Sequence, residues 1–118
     1  MLMVAMSNGH AGLAEALLRR GADVSLLASA GSYYALGLAA VNGREEMVEL
    51  ALRHGAEVNL QNKLGVTALM EAAYQGYERI VDTLIRHGAA INLQSSLGGT
   101  ALMGAAIHNH PAVVLRVL

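Results

Sequence analysis

Apolar positions recur along the chain at intervals that fit short helices. Between residues 68 and 86, Leu69, Ala72 and Ala73 fall at i, i+3 and i+4. Ile80, Val81, Leu84 and Ile85 form a second stripe that leaves Arg79, Asp82 and Arg86 for water. The spacing predicts one helix over Ala68–Tyr74 and another over Glu78–Arg86. Gly76 ends the first, because glycine reaches positive φ without steric cost, and Asn109 substitutes for it further along. Gly88 ends the second, with Arg86 and His87 in a last turn where the helix dipole favours positive charge. Pro111 stands where another such helix starts, which suits its fixed φ and missing N–H. A pair of short helices like this cannot bury its own apolar face. It has to stack.

The same pattern comes back along the chain. Arg20-Gly21-Ala22-Asp23-Val24-Ser25, His54-Gly55-Ala56-Glu57-Val58-Asn59 and His87-Gly88-Ala89-Ala90-Ile91-Asn92 match, and their glycines lie 34 and 33 residues apart. Gly65-Val66-Thr67-Ala68-Leu69-Met70 repeats as Gly98-Gly99-Thr100-Ala101-Leu102-Met103, again 33 residues on. The pairs Ala39-Ala40, Ala72-Ala73 and Ala105-Ala106 keep the same phase. Three markers on one period define a repeat array.

The pattern resembles the ankyrin repeat, whose period is 33 residues and whose signature is Thr-Pro-Leu-His-x-Ala. The resemblance covers the whole chain, with a partial repeat over 1–26, complete repeats over 27–60 and 61–93, and a partial repeat over 94–118. It implies an all-α fold, a single 1–118 ankyrin-type helix-turn-helix solenoid with short hairpin-like turns between repeats. Two departures matter. Ala68 and Met70, and again Ala101 and Met103, replace the family's Pro and His, so thioether packing is expected where the His makes inter-repeat hydrogen bonds. In the second repeat the turn reads Gly31-Ser32-Tyr33-Tyr34-Ala35-Leu36, with one extra residue and Tyr34 in the place of Thr, so that loop should depart from the family shape.

Composition narrows the function. With 118 residues, 8 basic and 9 acidic side chains and a net charge of −1, the chain lacks the basic stripe of a nucleic-acid binder. It has no cysteine, which excludes disulfides and thiolate chemistry, and its only aromatics are four tyrosines. The uncharged stretch from Val24 to Gly43 is long enough to span a bilayer but is broken by Ser25, Ser29, Gly31, Ser32, Gly37 and Asn42. Met1 to Met6 lacks the basic start of a secretion signal, so an intracellular, cytoplasmic location is expected.

Side chains that suggest chemistry have simpler roles. His54 and His87 fit helix C-caps, and His108-Asn109-His110 fits a turn, since two imidazoles fall short of the three or four ligands zinc wants. Glu45, Glu46 and Glu49 suit the first turn and solvated face of a helix. Gly98-Gly99-Thr100 lacks the lysine and spacing of a phosphate loop. The six methionines, Met1, Met3, Met6, Met47, Met70 and Met103, read as core filler. No catalytic triad, metal set, cofactor motif or small-molecule site is expected, and the chain reads as no enzyme.

The resemblance instead implies a protein–protein interaction module that takes a protein partner on the concave face formed by turn tips and first helices. The family's variable positions correspond to Lys63, Leu64, Val66, Tyr74 and Gln75 in the best-matching repeat. They correspond to Ser96, Leu97, Gly99, Ile107 and His108 in the next, and to Val41 and Asn42 in the one before. Tyrosine is favoured at interface centres, so the expected patch is Tyr33, Tyr34, Lys63, Leu64, Val66, Tyr74 and Gln75, with Tyr77 left to pack at the start of a second helix. An alternative is a recruitment or regulatory segment of a larger enzyme or signalling protein. Asn59 and Asn92 match the family's hydroxylation context only in part. The chain starts within one helix and stops within another, so further sequence on both sides, or self-association of exposed ends, is expected.

Overall fold

A computed structural model of the chain describes residues 1–27, 31 and 34–118. Eight helices and no strand occur among them: α1 (Leu2–Asn8), α2 (Ala11–Arg19), α3 (Ala35–Val41), α4 (Glu45–Arg53), α5 (Ala68–Gln75), α6 (Glu78–Arg86), α7 (Ala101–Ile107) and α8 (Pro111–Val117). They pair as α1/α2, α3/α4, α5/α6 and α7/α8, and the pairs stack. The odd-numbered helices pack side by side as one layer and the even-numbered ones as another. Small residues make the odd layer tight: Ala39, Ala40, Ala72, Ala73 and Ala105 are all fully buried. Met47, Val48 and Leu50 of α4, and Ile80, Val81 and Leu84 of α6, fill the space between the layers. The predicted helices Ala68–Tyr74 and Glu78–Arg86 therefore stand, the first lengthened by one residue.

The even helices end alike. After α4, Gly55 takes φ 87°, its N–H reaches Leu52 O at 3.1 Å, and Ala56 N–H reaches Ala51 O at 3.0 Å. Gly88 and Ala89 repeat this after α6 with Ile85 O and Leu84 O. This is a Schellman closure, which takes up the orphan carbonyls of the last turn. His54 and His87 fill the C-cap, and the His87 ring donates from Nδ1 to Thr83 O at 2.8 Å.

The odd helices end on glycines that do a second job. Gly9, Gly43 and Gly76 adopt φ of 75°, 71° and 80°, and each lies under a side chain from the N-cap of the even helix in the following pair. A Cβ on Gly9 would come 3.3 Å from Arg44 Cδ, one on Gly43 3.0 Å from Tyr77 Cζ, and one on Gly76 2.5 Å from His110 Nδ1. Two of these side chains also bond to the pair they cover. Arg44 Nε donates to Ser7 O at 3.1 Å, and His110 Nε2 donates to Tyr74 O at 3.0 Å. Asn109, at the same place after α7, is the one non-glycine residue at positive φ (56°) among the described residues.

Thr67 and Thr100 cap α5 and α7, their hydroxyls accepting from Met70 N–H at 3.2 Å and Met103 N–H at 3.3 Å. Met70 returns the contact, its Sδ lying 3.5 Å from Thr67 N, so the thioether expected only to pack also completes a weak capping box. The α3 N-cap is Tyr34, which makes no cap bond. Its ring lies against Gly37, where a Cβ would meet Tyr34 Cζ at 2.8 Å, and its hydroxyl donates to Val66 O of the next pair at 3.2 Å. Position 37 is the counterpart of Met70, so a large residue at the cap and none inside the helix replace a small cap and a large methionine. Tyr34 thereby restores an inter-repeat hydrogen bond of the kind lost with the family's His. Ser32 and Tyr33 of that turn lie outside the described residues, so the expectation for the loop's shape lies there too.

Burial pushes the Tyr34 hydroxyl's pKa up, and the nearby Glu71 carboxylate adds to it; burial likewise holds the Glu71 carboxyl above the usual carboxylate range. Folded protein thus binds the Glu71 proton more tightly than the unfolded chain, so ionising it as pH rises through its raised pKa costs stability. Glu71→Gln should raise Tm at neutral pH, and the gain should vanish on acidification below the ordinary carboxylate range, in thermal unfolding followed against pH. Leu69→Ala, at a side chain only 1% exposed, should cost about 2–5 kcal/mol in denaturant unfolding. Gly88, which has open space around it, should accept alanine at about 1–2 kcal/mol for the positive φ alone. Gly76→Ala should cost about 1–3 kcal/mol more in the same measurement, because the His110 ring has to move.

Candidate functional site

The segments leading into α5 and α7 form matching hairpin tips. Gly65 N–H bonds back to Asn62 O at 2.8 Å and Asn62 N–H to Val66 O at 3.1 Å, with Gly65 at φ 74°. Ser95, Gly98 and Gly99 repeat the arrangement, with Ser95 N–H on Gly99 O at 2.8 Å. The turn residue at positive φ lets the tip close in three residues, Lys63, Leu64 and Gly65. Asn62 stiffens the first tip by accepting from Leu64 N–H and Val66 N–H at 2.9 and 3.0 Å. Adjacent tips are tied through the main chain: Lys63 N–H donates to Gly31 O and Ser96 N–H to Leu64 O, both at 2.8 Å. Gln61 Nε2 adds bonds to Gly65 O and Gln94 O, and Asn59 Oδ1 accepts from Ala90 N–H at 2.7 Å.

Each tip feeds straight into an odd helix, so the tips and the odd helices' outer side make one surface, away from the even layer. Lys63, Leu64, Tyr74 and Gln75 are exposed on it and Val66 is half-buried. Tyr34 is a correction: at 3% exposure, with its ring on Gly37 and its hydroxyl bonded to Val66 O, it is a packing residue and offers no surface. Tyr33 lies outside the described residues. Tyr77 is half-buried over Gly43, at the start of α6 as expected.

Apolar exposure on this surface extends further along the stack than the tyrosines suggested. Leu97 at the second tip is 98% exposed and Ile107 of α7 is 77% exposed, with Leu64, Tyr74 and Met103 about half so. Met103 corrects the reading of the methionines as core filler, and so does Met1. Met70 is buried because α5 lies between α3 and α7, whereas α7 has a described helix on one side only. That difference depends on stacking order and leaves no mark in the local sequence. The His108 ring sits against Tyr74 with centroids 3.9 Å apart and planes tilted by 51°, and His110 follows at 6.4 Å.

The opposite side is charged. Glu45, Glu46 and Glu49 of α4 face Arg79, Thr83 and Arg86 of α6 across an open groove. Further along, Arg116 joins α8 to α6 through Asp82 at 2.7 Å and Glu78 at 3.4 Å. Exposed pairs of this kind contribute at most about 1 kcal/mol. Among the described residues no three metal-ligating side chains come together, and no helix is long and apolar enough to cross a membrane.

The family model for ankyrin repeats (three copies) matches the chain over residues 2–95 and again over 36–118. No curated protein matches it. The match runs from residue 2 to residue 118, over the same stacked helix pairs and hairpin tips: the chain belongs to the ankyrin repeat family.

Proposed function

We propose that the protein is a non-catalytic binding module that takes a protein partner on the surface formed by the hairpin tips and the odd-numbered helices. Ankyrin repeats are in general protein–protein interaction modules. The observation that carries the reading here is the run of exposed apolar side chains Leu64, Leu97, Tyr74, Met103 and Ile107 on one side of a fold whose other side is charged. Scattered exposed apolar residues are ordinary, but a contiguous set on one face marks an interaction site. Lys63, Leu64, Val66, Tyr74 and Gln75 form the first half of the patch and Leu97, Met103 and Ile107 the second. Tyr74 joins the halves, because its ring contacts His108 and its carbonyl accepts from His110. It offers a large flat surface with a polar tip, already held in place before a partner arrives.

A partner obtained by photo-crosslinking from position 64 or 97 provides the test. Tyr74→Ala should weaken its binding by about 1–3 kcal/mol in calorimetric titration. Arg79→Ala, in the charged groove of the opposite side, should change it little. Equal losses in both variants, with both folded by circular dichroism, would place the partner elsewhere.

A further inference from the structure

The chain holds two Asn-Gly pairs, Asn8-Gly9 and Asn42-Gly43, each at the end of an odd helix. Asn-Gly is the dipeptide most open to succinimide chemistry, because glycine has no Cβ to shield its nitrogen. The glycine nitrogen attacks the asparagine Cγ and gives up its proton, the bond from Cγ to the side-chain nitrogen breaks, and that nitrogen takes up the proton and leaves as ammonia. One water then opens the five-membered ring at either carbonyl, giving aspartate or isoaspartate, with no change of oxidation state.

The structure treats the two pairs differently. Asn42 Nδ2, the atom that would leave, donates to Leu38 O at 2.8 Å and Ser7 Oγ at 3.3 Å. Gly43 is covered by the Tyr77 ring and its N–H bonds to Ala40 O at 3.2 Å. Moreover, α3 packs between α1 and α5. The Asn8 side chain is exposed and bonds to nothing among the described residues. The Gly9 N–H is held only by Ala5 O, beneath the flexible Arg44 side chain where Gly43 has a ring, and α1, seven residues long and uncapped like α3, has α3 as its one odd-layer neighbour. Freeing the attacking nitrogen requires local opening, which is cheapest in short helices packed on one side.

We propose that Asn8 is a site of spontaneous deamidation in the folded protein and that Asn42 is protected from it. The consequence reaches the joint between the first two pairs. Isoaspartate at position 8 adds a main-chain carbon before Gly9, displacing Gly9 from beneath Arg44, Ser7 O from Arg44 Nε and Ser7 Oγ from Asn42 Nδ2. A new carboxylate also lands at the end of α1, where the helix dipole disfavours negative charge.

The test is peptide mass mapping of the purified chain held in mildly alkaline buffer, native and in denaturant, over a time course. In the native sample, conversion at Asn8 should run roughly tenfold or more ahead of Asn42, a difference set by the cost of local opening. In denaturant the two should come within a few-fold of each other. Ser7→Ala, which removes one of Asn42's bonds, should narrow the native gap by speeding Asn42. Equal native rates would overturn the proposal, as would a gap that persists unchanged in denaturant.

Discussion

The stack depends on one repeated contact, a side chain from each pair seated on a glycine of the pair before it. Glycine at that place satisfies two demands at once. Its positive φ turns the chain from the odd helix into the even one, and its bare Cα leaves room for the neighbour's side chain. The seated residue differs each time, Arg44, Tyr77 and then His110, yet two of the three find a carbonyl on the glycine's own pair to bond. Shape and one main-chain acceptor define the joint, and the chemistry of the seated group is secondary. This explains why Gly9, Gly43 and Gly76 carry a constraint beyond backbone conformation, while Gly55 and Gly88, at similar φ, face open space.

Much of this architecture is legible in the residues because it rests on local rules. The stripe Ile80, Val81, Leu84 and Ile85, the closing glycines and Pro111 each act within one turn of chain, and the helices they predict are the helices found. The candidate surface is legible at Leu64, Tyr74 and Gln75, where the family register alone decides exposure. Tyr34 escaped because its fate depends on two positions read together. Gly37 inside a helix, where the other repeats have methionine, is the signal that a ring at position 34 would turn inward. The joint residues at 44, 77 and 110 were hidden for another reason: they share a place and a role but no side-chain chemistry.

The exchange at α3 also shows how an array absorbs a departure from its own pattern. Losing the threonine cap leaves the α3 N-terminus without a side-chain acceptor, and losing the methionine leaves a void. Tyr34 fills that void with its ring and compensates with a hydrogen bond across to Val66. The helix gives up a local bond and the stack gains one between neighbours. Stability moves from within a repeat to the interface between repeats, the term that makes such arrays cooperative.

The tips follow the opposite logic. Lys63 to Gly31 and Ser96 to Leu64 are bonds between main-chain atoms, and the closing bonds of each hairpin are main-chain bonds as well. None of them depends on which side chain stands at positions 63, 64, 96 or 97. The scaffold thus holds its shape without drawing on the side chains at its tips. Substitutions there leave the bonds between tips untouched, which makes the tips the part of this chain most open to evolutionary change.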